Sequence, residues 1–200
     1  MNPAYDSAGK RKELVRAAKE LFHHEGFHKT TLQMIARSAG VPLGNVHYYF
    51  PSKQSLAEAV IASHLSDLQT AFASWESEGP LERLRTLIRS PLRSADSVVQ
   101  FGCPHGSLCQ ELQKDAESPL ARAGAGLLQA WIDWSAEQLT ALGWEASVAR
   151  QMAGQLVAAI QGTMLLAQTF RSPELLTDQL GRVESWLEEQ QSSSAERRKA

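Results

Sequence analysis

Two hundred residues, 43% of them apolar, provide for one sizeable core or two small domains of an ordinary soluble globule. No stretch approaches the ~18 to 20 consecutive apolar residues of a membrane span, and the opening MNPAYDSAGKRKE lacks the apolar core of a secretion signal, so a cytoplasmic protein with no membrane partner is expected. Two cysteines make no disulfide framework, in keeping with a reducing compartment.

The net charge of −2 hides an asymmetry. Residues 1–53 carry eight Lys/Arg (Lys10, Arg11, Lys12, Arg16, Lys19, Lys29, Arg37, Lys53) against four acids, and the remainder carries twelve basic residues against eighteen acids. A basic head on an acidic body suggests nucleic acid at one end only. The plainer account of Lys10 to Lys19 alone is a solvated helix face.

Leu32, Ile35, Ala36 and Ala39 fall at i, i+3, i+4 and i+7 and predict one face of a helix whose other face carries Gln33, Arg37 and Ser38. Thr30 or Thr31 can cap its start. Gly40 ends it, because glycine enters the left-handed conformation without a steric cost. Pro42 then stands where a new helix begins, with φ already set. Two helices joined by so tight a corner cross steeply, the geometry of a helix-turn-helix whose second member reads a major groove.

In that second helix, about 43–49, Val46 and Phe50 are spaced to pack inward, which leaves Leu43, Gly44, Asn45, His47 and Tyr48 facing outward. Gly44 costs helix stability, roughly 1 kcal/mol against alanine, and close approach of another backbone would explain it. Tyrosine and histidine suit phosphate contacts, which position a protein on DNA rather than specify sequence. Lys53 lies at the next helix start, where its ammonium can join a phosphate.

The run matched by Thr31, Ile35, Ala36, Ala39, Gly40, Val41, Gly44, Tyr49, Phe50, Lys53 and Leu56 resembles the signature of TetR-family transcriptional repressors, T-x-x-x-I-A-x-x-A-G-V-x-x-G-x-x-Y-x-Y-F-x-x-K-x-x-L. Upstream, Leu14, Ala17, Ala18, Leu21, Phe22, Gly26 and Phe27 resemble the family's first helix and its exit. His47 departs from the pattern, which usually has tyrosine there, and makes that contact sensitive to pH near neutrality. The resemblance implies an all-α protein with an N-terminal helix-turn-helix domain (1–54) and a C-terminal helical effector-binding and dimerisation domain (55–190). It assigns bases to Leu43, Asn45 and Gln33, and phosphates to Thr31, His47, Tyr48 and Lys53, with Gly44 at the contact.

Beyond Leu56 the punctuation at Gly79-Pro80, Pro91, Gly102-Cys103-Pro104, Ser118-Pro119, Gly143 and Ser172-Pro173 separates candidate helices near 54–77, 81–89, 104–114, 119–142, 146–170 and 173–190. Residues 191–200, serine-rich and charged, are expected to be a disordered tail. In 146–170 the small residues Ala153, Gly154, Ala158, Ala159 and Gly162 lie among large apolar ones, and 173–190 adds a second apolar stripe. Two chains each giving this pair would build a four-helix dimer interface, the alternative being packing within one chain. The family resemblance favours the homodimer. Its two reading helices would then stand ~34 to 36 Å apart, or a little more, on a pseudo-palindromic operator.

A regulator of this kind implies a small-molecule effector. Phe101, Cys103, His105, Trp131, Trp134, Gln161, Met164 and Gln168 are the candidates to line its pocket, with Phe72, Trp75, Trp144, Met152 and Phe170 among further apolar residues; most such residues simply pack. In Gly102-Cys103-Pro104-His105 a helix beginning at Pro104 places Cys103 at its cap, where the helix end favours thiolate. A small helix-starting residue is the preferred reading of Cys103, and a sensor of oxidants or electrophiles the alternative. Cys103 and Cys109 are separated by ~9 Å of helical rise and do not bridge, and with His105 they lack the facing directions and fourth ligand of a metal site. His23, His24 and His28 are interrupted by Gly26 and read as solvated or DNA-proximal. No phosphate loop, nucleophile elbow or paired His/acid motif marks an enzyme, and no cofactor is implied. The expectation is therefore a repressor released by an effector, against a constitutive DNA-binding protein that has none.

Overall fold

The computed structural model describes residues 3–197, and the regular structure of those residues is entirely helical. In chain order the helices are α1 (Pro3–His24), α2 (Leu32–Ser38), α3 (Leu43–Tyr49), α4 (Lys53–Ser74), α5 (Pro80–Arg89), α6 (Ala95–Phe101), α7 (Pro104–Leu112), α8 (Pro119–Ala141), α9 (Ala146–Phe170) and α10 (Pro173–Arg197). Short 3-10 segments, Ser90–Ser94 and Gln113–Asp115, precede α6 and follow α7.

Among the described residues, those from 3 to 69 pack with Pro104–Leu127 into one compact unit, and Thr70–Cys103 pack with residues 128–197 into another. The core of the N-terminal unit follows the apolar spacing of its helices. Leu14, Ala17, Ala18 and Phe22 of α1, Ile35 and Ala36 of α2, Val46 of α3 and the Leu56, Ala57, Val60 stripe of α4 are all buried in it. Leu108 and Leu112 of α7 are buried in the same unit, and the Cys109 thiol donates to Gly124 O at 3.1 Å. A boundary near residue 54 does not anticipate that α7 belongs here.

In the C-terminal unit α9 and α10 form a helical hairpin turned at Arg171, a left-handed residue with φ 53. Its guanidinium explains the unusual backbone, since Nη1 donates to Val99 O at 3.2 Å and Gln100 O at 2.6 Å and ties the turn to α6. Leu176, Leu180 and Leu187 of α10 and Leu156, Ile160 and Met164 of α9 are all buried, and the two helices pack against each other within the chain. Arg85 and Arg89 of α5 pair with Glu184 of α10, and Arg85 also with Glu188. Glu145 caps α9 by accepting from the Ser147 and Val148 amides, and these hydrogen bonds, the Ser147 hydroxyl first, hold its carboxyl below the usual range.

Two elements differ from the sequence expectation. Helix α6 occupies a stretch left without structure, because Pro91 starts a 3-10 turn that feeds a helix instead of ending one. Helix α10 runs through 191–197, where a disordered tail was expected; a helix already nucleated upstream extends at modest cost through three serines flanked by Gln, Ala, Glu and Arg. Residues 198–200 of that tail lie outside the described ones.

Candidate nucleic-acid interface

The corner between α2 and α3 is built from local chemistry. Thr31 is the cap of α2, its hydroxyl accepting from the Met34 amide at 3.2 Å. Thr30 is buried and turns instead into its own loop, donating to Gly26 O at 2.8 Å. At the far end Gly40 is left-handed (φ 64), Gly40 N–H donates to Arg37 O at 3.3 Å, and Val41 N–H reaches back to Ala36 O at 3.0 Å. This pair of bonds closes the helix and turns the chain. Pro42 stands one residue before α3 rather than as its first residue, with its carbonyl receiving the Asn45 amide at 2.9 Å.

Helix α3 has only seven residues, too few to be stable alone, and is held by Val46 and the following Phe50, both buried. Everything else on it except the half-buried Tyr49 faces outward. Leu43 is 42% and Tyr48 80% exposed, and Gly44, Asn45 and His47 are exposed with them. Apart from its own helix backbone and chain neighbours, no described atom lies within 4 Å of the place a Cβ on Gly44 would occupy, so packing does not require glycine there. Gln33 and Thr31 are exposed on α2. Arg11 of α1 sits 4.9 Å from the Phe50 ring centre, a cation over the aromatic residue that ends α3.

Lys53 takes a different position from the one its place in the sequence suggests. Its ammonium donates to Phe27 O at 2.8 Å, Thr30 O at 2.9 Å and His28 O at 3.3 Å, and lies 4.4 Å from the Phe27 ring centre. Partial burial lowers its pKa from the usual lysine range and the charge of Glu111 opposes that shift. With three donors committed to carbonyls, the side chain ties the α1–α2 loop to the start of α4. His28 is exposed but engaged with Glu111 of α7, a long-range contact that no local sequence pattern signals.

Comparison with known proteins agrees with this geometry. Residues 14–60 match the bacterial regulatory proteins, tetR family, and residues 80–180 match the C-terminal domain of LmrA/YxaF-like transcriptional regulators. The chain belongs to the TetR family. It is 30% identical over 172 residues to the HTH-type transcriptional regulator Rv0196 of Mycobacterium tuberculosis, covering 82% of this chain and 86% of that protein. It is 29% identical over 167 residues to the HTH-type transcriptional regulator YxaF of Bacillus subtilis, covering 80% and 85%. The crystal structure of SCO4454, a TetR-family regulator from Streptomyces coelicolor, has the same fold, with a TM-score of 0.75 at 23% identity over 91% of this chain and 96% of that one. This TetR-family protein is thus a DNA-binding transcriptional regulator, and α2–α3 is its helix-turn-helix.

The residues expected to line an effector pocket in this TetR-family regulator are dispersed. Trp131 and Trp134 join Phe72 and Trp75 in an aromatic cluster of the C-terminal unit, where Phe72 stacks on Trp134 with centroids 4.4 Å apart. Two buried polar atoms of that unit, Ser135 Oγ and Gln161 Nε2, have no protein partner; Ser135 was not singled out from the sequence, where one serine inside a helix carries no signal. Met164 is buried, Phe101 half-buried, and Gln168 lies against Gly102. Trp144 is held apart by donating from Nε1 to Gln191 at 3.2 Å.

His105 belongs to the N-terminal unit. Its ring meets that of His64 edge to face at 4.8 Å. Desolvation pushes both down, His64 to about 3 and His105 to about 4, and the charges of Lys19 and His23 act in the same direction. Cys103 directly precedes α7, and it and Cys109 are buried and unbridged, consistent with small apolar packing. No helix among the described residues is long and apolar enough to cross a membrane.

Proposed function

We propose that this protein is a homodimeric repressor that binds a pseudo-palindromic operator and is released from it by a small-molecule effector in the C-terminal unit. The observation that carries the reading is the face of α3. Leu43, Gly44, Asn45, His47 and Tyr48 are all exposed on a helix whose other side is sealed by Val46 and Phe50. On this reading Leu43, Asn45 and Gln33 meet base edges, and Thr31, His47 and Tyr48 meet phosphates. Lys53 acts behind them as a buttress.

Dimerisation is supported by α9. Leu165, Leu166 and Phe170 are exposed at 52%, 45% and 65%, with Ala158 and Ala159 exposed on the preceding turns. Beside them α9 and α10 form a groove of about 430 Å³ between Ala159, Val183, Trp186 and their polar neighbours. Apolar surface of this extent on a soluble helix pair is the mark of an association site. The aromatic cluster and the unsatisfied Ser135 Oγ and Gln161 Nε2 support an apolar effector with one or two hydrogen-bonding groups. Such a ligand acts by binding two arrangements of the chain unequally, and α4 is the element expected to shift between them.

The test is a gel shift of the purified protein on the intergenic DNA flanking its own gene, at two salt concentrations, with Tyr48→Ala as control. Binding that weakens with salt and is lost in the variant supports the reading. A protein that binds equally in the presence of every compound screened is a constitutive DNA-binding protein instead.

A further inference from the structure

We propose that Glu111 is a positioning residue for the DNA-reading corner: from α7 it holds the loop between α1 and α2 and so sets where α2 and α3 stand. The proposal rests on the reading of this protein as an operator-binding regulator.

The loop 25–31 exposes its backbone groups to two different helices. Its carbonyl side belongs to α4, through the three bonds of the Lys53 ammonium to Phe27, His28 and Thr30. Its amide side belongs to α7. The His28 N–H donates to Glu111 Oε2 at 2.9 Å, and the His28 ring donates from Nε2 to Glu111 O at 2.9 Å. Gly26 is left-handed (φ 90), and a Cβ there would stand 2.7 Å from Glu111 Oε1, so the carboxylate lies directly against the chain. The last residue of this doubly held loop is Thr31, whose hydroxyl caps the start of α2. A carboxylate accepting a backbone N–H is among the stronger hydrogen bonds available to a protein.

The sign of the charge makes the point sharper. The head is basic because DNA is anionic, and a carboxylate that did nothing else there would only weaken attraction to the operator. Lys114 is its other basic neighbour, at 4.0 Å, and is exposed. Electrostatics and positioning therefore give opposite outcomes when Glu111 is neutralised.

The experiment compares full-length wild type, Glu111→Gln, Glu111→Ala and Tyr48→Ala on a duplex selected by the wild type from random sequence. Operator affinity is measured across a salt series, and the exchange of the His28 amide in the DNA-free protein is followed alongside. Positioning gives the order wild type, Gln, Ala, with the alanine variant roughly tenfold weaker, the salt slope unchanged and the His28 amide exchanging faster. Variants that bind as tightly as wild type, or tighter, overturn the proposal; the isosteric Glu111→Gln decides that sign even where Glu111→Ala does not fold. Failure of the regulator reading looks different, since the wild type itself then selects no duplex.

Discussion

Replacing Lys53 with methionine separates the phosphate contact that the sequence suggests from the loop buttress that the structure shows. Methionine keeps the length of the stem but removes all three hydrogen bonds, at 2.8, 2.9 and 3.3 Å, and leaves the Phe27, Thr30 and His28 carbonyls to water. A hydrogen bond to a charged group contributes about 1.5 to 3 kcal/mol, and a partly exposed cation over an aromatic face about 0.5 to 1 kcal/mol. The three bonds share one ammonium, and burying that ammonium opposes them, as its lowered pKa indicates. The net loss is therefore nearer one such bond than three, about 2 kcal/mol, which for a chain of this size is a fall of about 4 to 8 °C in melting temperature. Circular dichroism melting of the DNA-free protein reads this directly. Operator titration across salt reads the alternative, because a lysine on a phosphate contributes a slope of about 0.9 in log K against log salt. An unchanged melting temperature together with a slope reduced by about that amount per subunit would refute the buttress and restore the phosphate contact.

Three further outcomes are expected. Gly40→Ala meets no neighbour, yet forces alanine to φ 64; the strain is about 1 kcal/mol, seen as a drop of a few degrees in melting temperature with the fold retained. Phe170→Glu combined with Leu166→Glu places charge on the exposed face of α9 and is expected to give a monomer in sedimentation equilibrium, whereas the melting temperature of the N-terminal unit stays put. Stability is also expected to fall on the acid side. His64 and His105 titrate near 6.5 when unfolded but at about 3 and about 4 when folded. The unfolded chain therefore binds more protons below pH 6.5, and stability, complete above that pH, declines toward pH 4 by up to about 1.4 kcal/mol per pH unit for each ring. The facing Lys19 and His23 reinforce the decline and Asp67 opposes it. Denaturation followed from pH 7 to 4.5 checks the slope, and His64→Leu should make it shallower.

The helix-turn-helix was legible because its information is local. The spacing of Ile35, Ala36, Val46 and Phe50 sets the buried side, Thr31 and Gly40 mark the ends of α2, and each of these roles is fulfilled within a few residues along the chain. Lys53 shows where that reasoning stops. Its position next to a helix start suits a phosphate equally well, and only the folded return of the α1–α2 loop presents it with three carbonyls. Glu111 was out of reach altogether, since its partner His28 is 83 residues away. The same applies to α7 as a whole, an ordinary amphipathic segment that proves to belong with the head. In the body, the Gly and Pro punctuation marked out α8, α9 and α10 but not which faces stay uncovered. Met152, Leu156 and Ile160 are consumed inside the chain, and it is Leu165, Leu166 and Phe170 that are left outside.

The seven-residue length of α2 and α3 bears on how such a protein can be controlled. Helices this short do not hold themselves together, because the nucleation penalty exceeds what so few internal hydrogen bonds return. Their stability and their orientation therefore both come from the elements they lean on: the Phe22 and Phe27 edge-to-face pair at 5.2 Å, the α4 stripe, and the two-sided grip on the 25–31 loop. A reading head supported in this way can be re-aimed without touching a residue that contacts DNA. Because both subunits of the proposed dimer must fit half-sites at fixed spacing, a small tilt of each support is amplified into a mismatch on the operator. On the proposed mechanism the effector needs to favour the tilted arrangement by about 1 to 3 kcal/mol to change occupancy substantially. That is the size of a single hydrogen-bonded buttress such as Lys53, so on this proposal the loss or shift of one support is enough to change operator occupancy.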